Sequence, residues 1–135
     1  MSIQVTAEMQ FLPGQSTFVE GAAPDGEFVA IFEDDEATGY FYAVDPSADG
    51  NSIQDAVQIY SVSSVTERDN PSVIKIGWSA DSQKVLLLIN GHPHAVFDFE
   101  AKRGYCRTAY PPPNANSNWR TYSHDWSDDA MELFT

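Results

Sequence analysis

The sequence predicts a mostly β protein: about eight antiparallel strands, curled into a sandwich or open barrel, with a short C-terminal helix. Three observations carry this. Residues 3–11 alternate strictly between apolar and polar. Aromatic and β-branched runs recur between clusters of turn-forming residues. Asn90-Gly91 separates two apolar runs, and this dipeptide supplies the two positive φ values of a type I′ hairpin turn. The alternative is an α+β fold, should residues 53–60 be helical.

In the first element, Ile3, Val5, Ala7, Met9 and Phe11 fall on one side of an extended chain. Gln4, Thr6, Glu8 and Gln10 fall on the other, as in a strand with one wet face. Pro13-Gly14 ends it, and a short strand over 17–19 is closed by a loop over 21–26. Residues 28–32 and 40–44 are apolar and aromatic. Between them lie Glu33, Asp34, Asp35, Glu36, Ala37, Thr38 and Gly39, so the stretch reads as a β-hairpin with an acidic tip. Pro46, Asp49, Gly50 and Asn51 make the next break. Beyond it, Ile53, Ala56, Val57 and Tyr60 fit a helix face that Ser52 would cap. Val57, Ile59, Tyr60 and Val62 fit a strand over 56–63, which is preferred. A polar loop spans 66–71.

Strands over 72–78, 83–89 and 92–99 follow, joined by Ser79-Ala80-Asp81-Ser82 and by Asn90-Gly91. The second turn implies a register in which Ile89 faces His92, Leu87 faces His94 and Val85 faces Val96. Pro93 then lies opposite Leu88, its missing N–H directed away from the partner strand. Ala101-Lys102-Arg103-Gly104 reads as a three-residue hairpin loop with Gly104 in the left-handed position. It leads to a strand over 105–110 that Pro111-Pro112-Pro113 stops. Residues 114–122 are expected to be a mobile polar loop. In the final helix, Ser127 is the N-cap, and Asp128 and Asp129 suit the positive end of the dipole. Trp126 and Met131 have the spacing of a hydrophobic staple, and Leu133 and Phe134 would dock on the sheet.

A chain of 135 residues, 42% apolar, is expected to form one domain over 1–135 that needs neither disulfide nor metal to hold it. Its one cysteine, Cys106, cannot close an internal disulfide. The start, Met-Ser-Ile-Gln-Val-Thr-Ala-Glu, lacks the charged and apolar regions of a signal peptide. The longest apolar run, 85–89, falls far short of a membrane span of roughly 20 residues. A cytoplasmic location is the expectation by elimination.

The net charge of −13 is unevenly spread. Residues 1–67 hold 12 acids and no Lys or Arg; residues 68–120 hold seven bases against four acids; residues 121–135 hold four acids and no base. Phosphate binding needs clustered cations, so nucleic acid and anionic membrane surfaces are disfavoured as partners. A basic protein stays open as a partner, because complementary fields speed such encounters. The plainer reading is that the charge keeps the protein soluble. Strand 3–11 or strand 92–99 would offer an edge through which a homodimer can form.

Four groups of residues have chemical potential. His92 and His94, two apart on a strand, would share a face and could supply two metal ligands, short of the number a zinc site needs. Cys106 stands near Lys102 and Arg103, cations that favour a thiolate, and a nearby histidine would make it a nucleophile; the plainer fate of a free cysteine is burial. Lys102, Arg103 and Arg107, with Arg120, form a basic cluster flanked by Tyr105, Tyr110, Trp119 and Tyr122. Such a patch suits a small anion or an acidic peptide, or else balances the acidic hairpin. Glu33, Asp34, Asp35 and Glu36 would face a cation or a basic partner. Asp45, Ser47, Asp49 and Gly50 match the start of a calcium loop, but Ala56 stands where its bidentate glutamate belongs. No serine-nucleophile, phosphate-loop or dinucleotide motif is present, and no cofactor is expected.

Two stretches resemble a known family. One is Phe32-Glu33-Asp34-Asp35 with Gly39-Tyr40-Phe41-Tyr42-Ala43. The other is Asn70-Pro71-Ser72-Val73-Ile74-Lys75-Ile76-Gly77-Trp78-Ser79-Ala80-Asp81 with Leu88-Ile89-Asn90-Gly91-His92-Pro93-His94-Ala95-Val96-Phe97-Asp98 and the residues on to Arg107. Together they resemble small uncharacterised bacterial proteins grouped as a domain of unknown function. The resemblance implies a bacterial cytoplasmic protein of this size and carries no activity or site residue. The pattern Trp78-Ser79-x-Asp81-Ser82-x-Lys84-Val85 also resembles one hairpin of a β-propeller blade, but a propeller needs at least about four blades.

The functional expectation is a non-enzymatic acidic binding protein of inhibitor or immunity type. It would act by surface complementarity on a basic partner, through Glu33, Asp34, Asp35 and Glu36 and through Lys102, Arg103, Tyr105 and Arg107. The alternative is a small-molecule or metal-binding domain, with enzymatic capacity, centred on His92, His94, Cys106 and Arg107.

Overall fold

A computed structural model describes residues 3–135. Nine strands are described, arranged as two antiparallel sheets packed as a sandwich. The five-stranded sheet has the order β1 (Gln4–Phe11), β6 (Ser72–Trp78), β7 (Lys84–Ile89), β8 (His92–Asp98), β9 (Arg103–Cys106). The four-stranded sheet runs β2 (Thr17–Ala22), β3 (Val29–Asp34), β4 (Thr38–Val44), β5 (Ile53–Ser61). Residues 53–60 are thus strand, and the α+β alternative falls. Among the described residues no helix is long and apolar enough to cross a membrane.

Period-two burial builds the core between the sheets. Ala30 and Phe32 of β3 and Phe41 and Ala43 of β4 point inward; Ile74, Ile76 and Trp78 of β6 and Val85 and Leu87 of β7 meet them. Phe41 stacks on Phe97 at 5.0 Å, and Phe11 meets Phe32 edge to face at 5.4 Å. The indole N–H of Trp78 donates to the Gly21 carbonyl at 3.2 Å and links the sheets across the core. A second cluster covers the outside of the five-stranded sheet. There Leu86 and Val96 receive Ala130 and Phe134 from the C-terminal 3-10 helix Asp128–Phe134. Trp126, Met131 and Leu133 pack on the same cluster, and Ser127 Oγ accepts from the Asp129 N–H as the cap. Strands β7 and β8 are therefore buried on both faces, which explains their near-continuous apolar sequence.

Five sequence expectations are corrected. The alternation of 3–11 does not hold one face, because a bulge between Val5 and Ala7 turns the strand. Ile3 joins the outer cluster and Ala7 the inner, while Val5 and Met9 stay 42% and 41% exposed. The β7–β8 hairpin starts as expected, with Asn90 at φ 53° and Gly91 at φ 80° and Ile89 opposite His92. Past Pro93 it slips by one: Leu87 faces Ala95 and Val85 faces Phe97, so His94 is the extra residue of a bulge. Without that slip Phe97 would point away from Phe41. In the β8–β9 loop Lys102, not Gly104, takes the left-handed conformation (φ 56°), and β9 ends at Cys106, short of 110. Finally, 114–122 is anchored: Trp119 is buried against Phe97 and Phe99, and Ser117 Oγ donates to the Gln54 carbonyl.

Candidate functional site

The outer face of the four-stranded sheet, unlike that of the five-stranded sheet, has no helix packed on it among the described residues. Strand pairing sets its rows: Phe18, Glu33, Tyr40 and Gln58 in one, Glu20, Ile31, Tyr42 and Ala56 in the next, Ala22, Val29, Val44 and Ile53 in the third. Phe18 is 55% exposed, and Tyr40 stacks beside Tyr42 at 5.9 Å. Partial burial raises the pKa of both tyrosines; Tyr110 and Asp35 add to this at Tyr40, and Glu33, Tyr40 and Asp35 at Tyr42.

The acidic tip divides into two kinds of residue. Asp34, expected at the surface, is fully buried. Its Oδ2 accepts from the Gly14 N–H at 2.7 Å and from the Tyr60 hydroxyl, and its Oδ1 from the Glu36 N–H at 2.8 Å. Burial, then the Asp34 hydrogen bond and charge, push the Tyr60 phenol far up. Asp34 is thus a bolt inside the hairpin. Asp35 Oδ1 accepts from the N–H groups of Thr38 and Ala37, and these bonds hold its pKa below the usual carboxylate value. Glu33 and Glu36 face water with it.

The basic residues are held by rings. The Arg103 guanidinium lies 4.5 Å from the Tyr105 ring and 4.5 Å from the Tyr122 ring, between the two. Its Nε is buried without a hydrogen-bond partner. Arg107 lies 4.1 Å from the Trp126 ring and donates through Nε to the Pro93 carbonyl at 3.0 Å. Lys102 is exposed at the loop tip, and Arg120 donates to the Ser117 carbonyl. Among the described residues none of these four pairs with a carboxylate, unlike Lys84, which meets Asp81 at 2.8 Å and Glu100 at 3.1 Å. Trp119, expected to flank the patch, belongs to the core.

None of His92, His94, Cys106 and Arg107 lines the groove between the turn after β4, the start of β5 and the chain from Pro111 to Trp119. His92 is exposed beside the turn. His94 is half-buried, and burial, then the charges of Arg107 and His92, lower its pKa. Cys106 is buried, its Sγ 3.4 Å from the Gln58 carbonyl and from the Thr108 hydroxyl. No three His, Cys, Asp or Glu side chains among the described residues are grouped to hold a metal ion.

Sequence reasoning missed a buried pair. Asp55 on β5 is 6% exposed and His124 only 1%. His124 Nε2 stands 2.7 Å from Asp55 Oδ2, and Nδ1 meets the Pro111 carbonyl. Nδ1 must donate to the Pro111 carbonyl, and facing an ionised Asp55 the Nε2 carries a proton as well. Burial works against that charge, but the Asp55 hydrogen bond and charge, with the Pro111 carbonyl, outweigh it and raise the histidine pKa. The pair sits where the edges of the two sheets approach. A groove of about 930 Å³ opens beside it, between the turn after β4, the start of β5 and the chain from Pro111 to Trp119. Asp55 lines this groove, with Asp45, Asp49, Lys102, Asn116 and Phe28 among its other walls. His124 lies 69 residues from Asp55, so no spacing motif could have joined them.

A family model described as "Uncharacterized protein conserved in bacteria (DUF2251)" matches residues 11–135. An uncharacterised protein of Haemophilus influenzae is 42% identical over 92 residues, which are 68% of this chain and 57% of that protein. The match thus spans little more than half the length of the curated relative. No solved structure matches the chain. The matched segment takes in both sheets from the end of β1 onward, the open face, the Asp55–His124 pair and the C-terminal 3-10 helix, and on that extent the chain belongs to the bacterial family DUF2251.

Proposed function

We propose that this protein is a non-enzymatic binding protein of the cytoplasm that engages a basic protein, in the manner of an inhibitor or immunity protein. One observation carries the reading: the open face of the four-stranded sheet sets Phe18, Ile31, Tyr40 and Tyr42 beside Glu20 and Glu33, and strands β2 to β5 contain no Lys or Arg at all. Aromatic anchors ringed by charge of one sign suit an interface: the rings supply buried area, and the charge selects the partner and speeds encounter. The absence of a disulfide framework accords with a reducing compartment.

The test is capture from bacterial lysate on immobilised protein, at about 0.05 M and about 0.5 M salt, where the screening length shortens severalfold. The native chain is expected to retain a basic protein in low salt and release it in high salt, and the Glu20→Lys/Glu33→Lys variant to retain none. Retention that ignores salt, or that the variant shares, overturns the proposal.

A further inference from the structure

Each sheet has two edges, and residues 106–125 close one edge of each. At β9 the Cys106 N–H donates to the His124 carbonyl at 2.9 Å. At β5 the Gln58 N–H donates to the Tyr110 carbonyl at 2.7 Å, and Ser117 Oγ donates to the Gln54 carbonyl at 2.9 Å. Strand β8, expected as an edge, is interior, with β9 beside it. The outer edges of β1 and β2 stay open: among the described residues no backbone-to-backbone hydrogen bond reaches either from outside its sheet. These two edges differ in charge. Strand β2 carries Glu20, and Glu33 stands opposite Phe18 on the next strand. Strand β1 carries one acid, Glu8, which meets Lys75 of β6 at 3.8 Å. Six of the eight β1 residues are exposed, Val5 and Met9 among them, whereas none of β6 beside it is, so β1 is the uncovered flank of its sheet.

We propose that β1 is a self-association edge, where a second copy of this chain adds its own β1 antiparallel and joins the two five-stranded sheets into one. A strand edge is a row of unpaired donors and acceptors, and a two-fold axis makes such a row complementary to itself. Charge selects the occupant. Two chains of net charge −13 repel, so they meet at least cost where the edge is nearly uncharged. A basic protein is drawn to the acidic face instead. The charge-poor edge suits a strand as charge-poor as itself, and a second copy brings one. The bulge between Val5 and Ala7 leaves residues 7–11 as the regular stretch. Pairing centred on Met9 sets Met9 against Met9, Ala7 against Phe11 and Glu8 against Gln10, so no two carboxylates meet; centring it on Glu8 would oppose them. The family match begins at residue 11, so the pairing stretch lies almost wholly outside the part shared with the family. The inference stands apart from the function proposed above, because it uses the other sheet.

Sedimentation and light scattering of the full chain, from about 1 µM to about 1 mM, test the association, with a monomer–dimer Kd on the order of 10–100 µM expected for so small an interface. Raising salt from about 0.05 M to about 0.5 M should tighten it severalfold by screening the repulsion, opposite in sign to the release of a basic partner. Met9→Glu, which sets two carboxylates face to face across the axis, should raise the Kd at least about fivefold. Ile53→Glu adds the same charge at a similarly exposed residue of β5 and should leave the Kd within about twofold. Amide exchange locates the contact in the native chain without any variant: the amides of residues 7–11 should slow as concentration rises, and those of β2 should not. A chain that stays monomeric at the highest concentration, association that weakens with salt, equal effects of the two substitutions, or β1 exchange indifferent to concentration overturns the proposal.

Discussion

At the residue scale the Asp55–His124 pair is the most consequential feature, and Gly104 makes room for it. A Cβ on Gly104 would stand 2.6 Å from Asp55 Oδ2 and 3.1 Å from both the His124 and Phe97 rings. The sequence suggests a glycine kept for a turn; the structure shows one kept for close approach, because strand contacts between distant segments leave no local mark. Gly104→Ala is expected to destabilise the protein by about 1–3 kcal/mol through overpacking, read as a shift of the urea midpoint at constant slope. An unchanged midpoint would mean that the pair yields without cost. His124 also sets a pH dependence. Its folded pKa lies above the ordinary histidine value of 6.5, so its stabilisation is complete below that value and fades as pH rises through the folded pKa. His94 has the opposite sign: its folded pKa is lowered, so stability falls as pH drops below 6.5. Thermal stability should therefore peak near pH 6.5 and decline on the alkaline side. The His124→Asn variant, less stable by about 3–5 kcal/mol for loss of one member of a buried pair, should lack the alkaline decline. A decline that survives in the variant would place the titration elsewhere.

At the scale of elements, the legible parts are those set by local chemistry. The type I′ turn at Asn90-Gly91, the cap at Ser127 and the inward alternation of β3 and β4 all follow from residues within a few positions of one another. What escapes local reading are the bulges. The one at His94 answers a demand from the other sheet, where Phe41 awaits Phe97, and the one in β1 splits its apolar residues between two clusters. The same limit hid the candidate site, whose members come from β5, the chain after β9 and the β4–β5 turn. The C-terminal 3-10 helix is short, and its hold on the sheet rests on packing by Phe134 and Ala130 over Leu86 and Val96. Phe134→Ala is expected to cost about 3–5 kcal/mol. Amide exchange in β7 and β8 should speed in that variant, because this cluster covers the outer side of those strands. A fully folded variant with unchanged exchange would show that the helix merely rests on a self-sufficient sheet.

At the scale of the molecule the sign of charge follows the division into sheets. Residues 17–61, which form the four-stranded sheet, carry ten acids and no Lys or Arg; Asp34 and Asp55 are buried, and the other eight meet water. Every Lys and Arg lies between Arg68 and Arg120, a segment that includes β6 to β9. Like charges concentrated on one layer repel one another in the folded state more than in the expanded chain, so the native state carries a self-repulsion that a basic partner would relieve. Salt should relieve it too. Between about 0.02 M and about 0.5 M sodium chloride the screening length falls from roughly 20 Å to roughly 4 Å, so the melting temperature is expected to rise by several degrees. In the Glu20→Lys/Glu33→Lys variant the rise should be smaller and the starting value higher, because two repelling charges become attracting ones. That variant is the one expected to lose capture of a basic protein, so stability and binding should move in opposite directions when the same two residues change. A melting temperature indifferent to salt in the native chain would show that the acids are too far apart to strain the fold. An equal rise in the variant would show that the strain lies away from the open face.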